Sequence, residues 1–301
     1  MNATVIITNY NQSNILDIIL DNLNKQNTDY NFNIIVTDDG SSNVHTTKTL
    51  KLLRNYKKEI FYIFQQDLGF RAAKARNNAI KLSNSDIIIT LDGDCIPNSD
   101  FIQKHMEIFE QNKNCNILTY SNRKHKEINE IKLNESNSEY KRQLYFSEIE
   151  IKNKMKNWQR AWTFNISFNK SSYTLFDENF KGWGLEDTDF SYNLIKNHNY
   201  KLIEIKEPLV THIHIPLTNQ SNPFRTRKAI DMLNFIENAI YFYEKYKDEE
   251  ILATFNTIPD FAEFCDKKFT LESKILTPQK QTIQNLKKQA LLYKNFINNK
   301  E

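Results

Sequence analysis

The sequence predicts an α/β fold: a mixed, mainly parallel sheet flanked by helices, with a helical carboxyl-terminal extension. Through the first half, short β-rich runs alternate with segments whose apolar residues recur at helical spacing. Three of those runs end in polar clusters, at residues 8–11, 38–41 and 92–94. After Pro223 the apolar period is helical. Strand, helix and strand at this separation make βαβ units, and such sheets bind ligands beyond the carboxyl ends of their strands.

The elements follow in order. Residues 4–8 form a first strand, closed by Asn9-Tyr10-Asn11-Gln12. Ser13 is an N-cap candidate for a helix carrying Ile15, Ile18, Ile19 and Leu23. Residues 32–37 and 59–64 are the second and third strands, the second running into Asp38-Asp39-Gly40-Ser41. Ala72, Ala75, Ala79 and Leu82 line a helix before the strand at 86–91, which ends in Asp92-Gly93-Asp94. The segment 123–160 holds ten Lys/Arg against six Asp/Glu. It is either a solvated connection with two helices or a lid over a polar or anionic substrate. Residues 162–168 are a further strand candidate, leading to the turn Gly182-Trp183-Gly184 and a helix at 186–196. Strands at 201–205 and 209–215 come next, then a helix lined by Ala229, Leu233, Ile236, Ile240 and Tyr243. A last helix carries the stripe Ile283, Leu286, Ala290, Tyr293 and Ile297. That stripe needs a cover: the chain's own second half, a protein partner, or an inner-membrane surface.

Bulk properties narrow the class. The 301 residues suffice for one large or two modest domains, here 1–222 (halves 1–120 and 121–222) and 223–301. A net charge of +3, spread along the chain, gives no footprint for nucleic acid. Cys95, Cys115 and Cys265 show neither metal nor redox spacing, which suits a reduced compartment. The amino terminus lacks the basic start and apolar length of a secretion signal, and no run reaches the roughly 20 apolar residues of a membrane span. A cytoplasmic protein, with peripheral contact at the inner membrane as an option for the carboxyl-terminal helices, is the expectation. No Gly-x-Gly-x-x-Gly follows the first strand, which argues against a dinucleotide oxidoreductase.

Thr8-Asn9-Tyr10-Asn11, Asp38-Asp39-Gly40-Ser41, Ala75-Arg76-Asn77, Asp92-Gly93-Asp94 and Gly182-Trp183-Gly184-Leu185-Glu186-Asp187 occur in this order. The ordered set resembles the family 2 nucleotide-sugar glycosyltransferases of GT-A fold. Its second half is similar to the galactosyltransferase-type carboxyl-terminal module, and the whole to the transferase domains of bacterial chondroitin-type capsule polymerases. Each motif alone has a plainer structural meaning: Asp-Gly-Asp and Asp-Asp-Gly-Ser serve as turns, and Glu186-Asp187 as an acidic first helical turn.

The resemblance implies an inverting transferase that moves a hexose, N-acetylhexosamine or hexuronate from a UDP-sugar to a saccharide or lipid-linked acceptor, in bacterial surface polysaccharide or lipooligosaccharide synthesis. It implies a nucleotide site of Thr8, Tyr10, Asp38, Asp39, Arg76 and Asp92. Mn²⁺ or Mg²⁺ would be held by Asp94 with one of His212 and His214, which alternate on a strand and share a face. Asp187 becomes the base, Glu186 and Trp183 acceptor contacts, and Asn165 a weaker acceptor candidate. A nucleotidyltransferase would need a Gly-rich phosphate loop near the amino terminus, which is absent. A non-catalytic sugar-binding subunit would not need both Asp94 and Asp187.

Overall fold

The computed structural model describes residues 1–56, 59–127, 155–214, 229–255 and 282–299. The chain divides into two compact units: Met1–Glu178 with Glu186–Ile215, and Asn179–Leu185 with Pro216–Glu301. The sequence boundary at 222/223 lies outside the described residues, as does most of the basic segment, 128–154.

The first unit is built on an eight-stranded sheet: β1 (Ala3–Asn9), β2 (Phe32–Asp38), β3 (Ile60–Phe64), β4 (Ile87–Asp92), β5 (Cys95–Pro97), β6 (Ile117–Glu127), β7 (Asn165–Asn169) and β8 (Lys201–His214). Their spatial order is β3-β2-β1-β4-β7-β6-β8-β5. The first four strands in that order are mutually parallel, whereas β7 runs antiparallel to both β4 and β6. The mixed sheet expected from sequence is present. Strands β1 and β4 are buried on both faces, which explains why they read as unbroken apolar runs. On one face, α1 (Ser13–Asn24) supplies Ile15, Leu16, Ile19, Leu20 and Leu23, and α4 (Phe101–Gln111) supplies Phe101, Ile102, Met106 and Phe109. On the other lies α3 (Ala72–Leu82), with Ala73, Ala79 and Ile80 against Ile6, Ile35 and Ile88. Its alanines permit an approach close enough for Thr37 Oγ1 to donate to the Ala75 carbonyl at 2.8 Å.

Several local expectations change. Ser13 is the first helical residue rather than the cap, and its hydroxyl meets His45 Nδ1 at 2.9 Å. The strands expected at 201–205 and 209–215 are one, β8, because residues 206–209 bulge past Asn122 between the Ser121–Ile205 and Arg123–Val210 pairs. Pro208, which has no N–H for a ladder, sits in that bulge. Helix α2 (Asn43–Arg54), α4 and the strands β5 and β6 were not foreseen. The first five residues of the basic segment belong to β6. The helix foreseen at 186–196 is α5 (Glu186–Tyr192), followed by a π turn at Asn193–Asn197.

The second unit contains α6 (Ala229–Tyr246), α7 (Glu249–Thr254) and α8 (Ile283–Asn298). The α8 stripe is covered within the unit: α8 packs along α6 with Leu286, Ala290 and Tyr293 buried. Lys294–Glu237 and Lys287–Glu244 flank this seam at 2.5 and 3.1 Å, both exposed pairs of small value. No described helix is long and apolar enough to cross a membrane. In the same unit the 181–184 turn is clamped by Asn238, which accepts from Lys181 N (3.1 Å) and donates to the carbonyls of Lys181 (3.0 Å) and Gly184 (2.8 Å). Gly182 and Gly184 both have positive φ, and a Cβ on either would strike Asn234 or Phe235. Trp183 stacks on Phe235 with centroids 5.3 Å apart.

Asn238 is buried and satisfies three backbone groups, so Asn238→Ala should cost about 1–3 kcal/mol. A urea titration should show a lower midpoint at unchanged slope; an unchanged midpoint would refute the clamp.

Candidate active site

The polar clusters noted in the sequence lie at one level because the parallel register places Thr8 beside both Thr37 and Asp92, and Asn9 beside Asp38. Gly93 N donates to the Thr8 carbonyl at 2.8 Å, and a Cβ on Gly93 would sit 2.8 Å from that oxygen. Glycine is therefore required between the two aspartates. The Thr8 hydroxyl oxygen is itself buried without a hydrogen-bond partner.

Asp38 is wholly buried and holds the turn. Oδ1 accepts from Gly40 N (3.1 Å) and Ser41 N (2.7 Å), and Oδ2 from Asn9 Nδ2 (2.7 Å). Its carboxylate is spent inside the fold, which corrects its expected place among the nucleotide contacts. Asp39 lies beside it, accepting from Gln65 Nε2 at 2.5 Å and Arg71 N at 2.7 Å. Burial raises its pKa above the ordinary value despite these donors. Tyr10 presents an exposed ring, its hydroxyl 3.2 Å from Asp67 Oδ2. Tyr10, Asp39 and the 65–71 loop thus form one wall of the site.

Asp92 ends β4 and Asp94 lies in the turn before β5, so the strand is broken at Gly93 and the two carboxylates meet different partners. Asp94 Oδ2 faces His212 Nε2 at 3.2 Å, since β5 and β8 pair Cys95 with His212. Burial opposes its charge, but His212 and Arg123 prevail and hold the carboxyl down at about 2. His125, paired with His212 across β6 and β8, sets its ring edge-on at 5.5 Å. Of the two histidines left open by the sequence, His212 meets Asp94; His214 ends β8, and its side chain lies outside the described residues. A carboxylate oxygen facing an imidazole nitrogen is a donor pair that suits Mn²⁺ or Mg²⁺ with phosphate oxygens completing the shell. Among the described residues no three His, Cys, Asp or Glu side chains converge as a full ligand set.

Asp92 turns instead to Arg76, whose Nη2 lies 3.0 Å from Oδ1. The other arm of that guanidinium, Nη1, lies 3.3 Å from Glu186 Oε1. Arg76 is 3% exposed, and its guanidinium carbon lies 5.5 Å from the Phe176 ring centroid. The Asp92-Gly93-Asp94 motif and the Glu186-Asp187 motif, 94 residues apart by numbering (92 to 186), thus meet on one cation. Burial raises the Asp92 pKa, helped by Asp94 and opposed by Arg76.

Glu186 and Asp187 occupy the first turn of α5, where a helix favours negative charge. The chain reaches that turn through Gly184 and Leu185, both at positive φ, a costly conformation for leucine. Glu186 is 7% exposed, and burial with the Asp187 charge pushes its pKa up to about 7. Asp187 is half-buried. Its Oδ1 accepts from Thr188 N (2.7 Å) and Thr188 Oγ1 (3.2 Å), and burial raises its pKa.

Asn165 is corrected. It is fully buried, donating to Ser121 Oγ and meeting His105 Nε2 at 2.7 Å, so it presents nothing to a ligand. Trp183 belongs to the second unit. Sequence reasoning missed His125 and Arg123, whose guanidinium lies 4.5 Å from the Phe164 ring and bears electrostatically on Asp92 and Asp94. Both sit on β6, in a segment read from sequence as either a solvated connection or a lid; their alternation at 123 and 125 was the available signal.

A family model described as "Glycosyl transferase family 2" matches residues 4–176. The chain is similar to hyaluronan synthase of Pasteurella multocida, 28% identical over 225 residues, which cover 64% of this chain and 22% of that protein. It is also similar to chondroitin synthase of Escherichia coli, 24% identical over 287 residues, or 85% of this chain and 41% of that one. The chain spans well under half the length of either relative. Among solved structures, GalNAc-T7 with UDP, GalNAc and Mn²⁺ superposes with a TM-score of 0.60 at 15% identity, covering 98% of this chain and 54% of that one. The fold is GT-A.

Glu186 supplies a test of the site's electrostatics. A carboxyl titrating near 7 when folded and near 4.5 when unfolded binds more protons in the native state between those values, so its ionisation lowers stability as pH rises through that window. The melting difference between Glu186→Gln and the parent should therefore move in the variant's favour as pH rises from about 4.5 to 8. A pH-independent gap would refute the assignment.

Proposed function

Because this chain belongs to glycosyl transferase family 2, we propose that it moves a sugar from a uridine diphosphate sugar to a saccharide hydroxyl, with inversion at the anomeric carbon. The observation that carries this reading is the meeting of Asp92 and Glu186 on Arg76, which brings a donor-side and an acceptor-side carboxylate into one site. A UDP complex with Mn²⁺ on the same fold, and relatives named for hyaluronan and chondroitin synthesis, support the donor class and a role in bacterial surface polysaccharide or lipooligosaccharide.

In this reading Asp94 and His212 hold Mn²⁺ or Mg²⁺, which when bound offsets the charge gathering on the leaving diphosphate. Tyr10 and Asp39 line the uridine end, with Thr8 and Asp92 beside the ribose and diphosphate. Asp187 takes the proton of the acceptor hydroxyl as that oxygen bonds to the anomeric carbon. The electron pair of the breaking carbon–oxygen bond leaves with UDP, so one displacement inverts the centre and no protein nucleophile is needed. Glu186 is assigned to the acceptor sugar. The raised pKa of Asp187 matches a base that must gain a proton in the transition state.

A panel of UDP-sugars and oligosaccharide acceptors, read by released UDP with and without Mn²⁺, tests the proposal; no turnover with any donor would count against it. Asp94→Ala should weaken Mn²⁺-dependent UDP binding by more than about tenfold, the loss typical of even an outer-shell partner of a metal ligand. Calorimetry showing parental affinity would reject Asp94 as ligand. Asp187→Asn keeps the shape and removes the basicity. UDP binding should survive while transfer falls by a factor on the order of 10² or more, and NMR of the parental product should show an inverted anomeric centre.

A further inference from the structure

We propose that Arg76 is a positioning residue, holding Glu186 and Asp92 in one fixed geometry so that the acceptor-side carboxylates are set against the donor pole. This rests on the transfer reaction proposed above and adds a residue that acts through others. The guanidinium is used at three places at once: 3.0 Å to Asp92, 3.3 Å to Glu186, and 5.5 Å from the Phe176 centroid. Phe176 is itself pinned by the next residue of α3. Asn77 Nδ2 donates to its carbonyl at 2.9 Å, and its N–H donates to Asn77 Oδ1 at 2.7 Å. Phe176 then stacks on Phe190 of α5, with centroids 4.1 Å apart and planes 13° from parallel. One short stretch of α3 therefore grips the helix bearing Glu186 and Asp187 twice, through a carboxylate and through a ring.

The geometry separates this role from direct contact with a diphosphate. Both terminal nitrogens are engaged by protein carboxylates, and the side chain is 3% exposed. A fork-shaped cation can serve two carboxylates from fixed directions, whereas a lysine ammonium is a point charge on a flexible stem. Arg76→Lys thus keeps the charge and removes the geometry. Errors of about 1 Å at a reacting group cost on the order of 10²-fold in rate.

The test uses the full chain, as Arg76→Lys, Glu186→Gln and the double variant, with transfer kinetics, calorimetry of UDP with Mn²⁺, and melting temperature. Arg76→Lys should lower kcat on the order of 10²-fold while UDP affinity and KM barely move. Arg76 is the cation facing Glu186, and Asp187 on α5 opposes ionisation of the same carboxyl. The double variant should be no worse than the poorer single one, because both changes break the same link. A loss lying wholly in UDP binding, or losses that multiply in the double variant, would overturn the proposal. Should Arg76→Lys fail to fold, or no donor prove active, carbon-13 NMR of the Glu186 carboxyl decides without turnover. Asp92→Asn releases Arg76 to Glu186, so that carboxyl should titrate at lower pH; an unmoved titration would overturn the role of Arg76 while leaving the transfer reaction to the donor panel.

Discussion

A guanidinium taken out of water is costly, and a buried ion pair is retained only if its geometry and remaining hydrogen bonds are good. Arg76 meets it in part: two carboxylates engage its terminal nitrogens and a ring lies beneath it, while its buried Nε has no hydrogen-bond partner. The surrounding architecture follows from it. Helix α3 must approach the sheet closely enough to deliver a long side chain to the end of β4, and the alanines at 72, 73, 75 and 79 permit that approach. Helix α5 must begin at the same place, which the backbone achieves through two consecutive residues at positive φ, Gly184 and Leu185. Removing one carboxylate would leave the cation partly uncompensated, so these segments are mutually constrained.

The far side of the site depends on a different device. Asp94 is aimed at His212 because β5 is a three-residue strand that pairs antiparallel with β8 at that histidine. β8 in turn is held by a buried polar chain: His105 meets Thr119, Ser167 and Asn165, Asn165 donates to Ser121, and the Ser121 hydroxyl accepts from Leu209 N at 3.1 Å. Burial pulls the His105 pKa down to about 4, so the imidazole is neutral and both ring nitrogens serve hydrogen bonds. That chain ends in the bulge containing Pro208, just before the residues that face the site.

Much of the parallel half was legible because its signals are local. β-branched runs such as Ile87–Asp92 and alanine-faced helices such as Ala72–Leu82 announce themselves by period and composition. The second half was less so. β6 spans Ser-Asn-Arg-Lys-His-Lys, polar residues held in the strand by pairing with the distant β8, since β7 pairs only with residues 118–120. Asn165 looked available in sequence, whereas its amide is consumed by His105 and Ser121, residues 60 and 44 positions away. Asp39 was favoured over Asp38 as the chief nucleotide contact of the pair, but the sequence did not show that the turn commits the Asp38 carboxylate to backbone N–H groups. The clustering of Asp92, Asp94 and Glu186 was foreseen from motif order, but the cation joining two of them was not.

The division of labour among the acidic groups follows from their neighbours. Asp94 faces His212 and lies within the field of Arg123, and its pKa falls to about 2; Glu186 shares its surroundings with another carboxylate, and its pKa rises to about 7. Carboxylates whose environments push their affinities for a proton apart are suited to different tasks. The low one stays ionised at any physiological pH. Burial raises both Glu186, up to about 7, and Asp187, so each holds a proton more tightly than an ordinary carboxyl. Arg76 stands between the two sets, touching Asp92 on one side and Glu186 on the other. Its charge opposes the rise that burial imposes on Asp92, Glu186 and Asp187. Asp94 lies outside its reach and is set by His212 and Arg123 instead, so the two poles of the cleft answer to different cations.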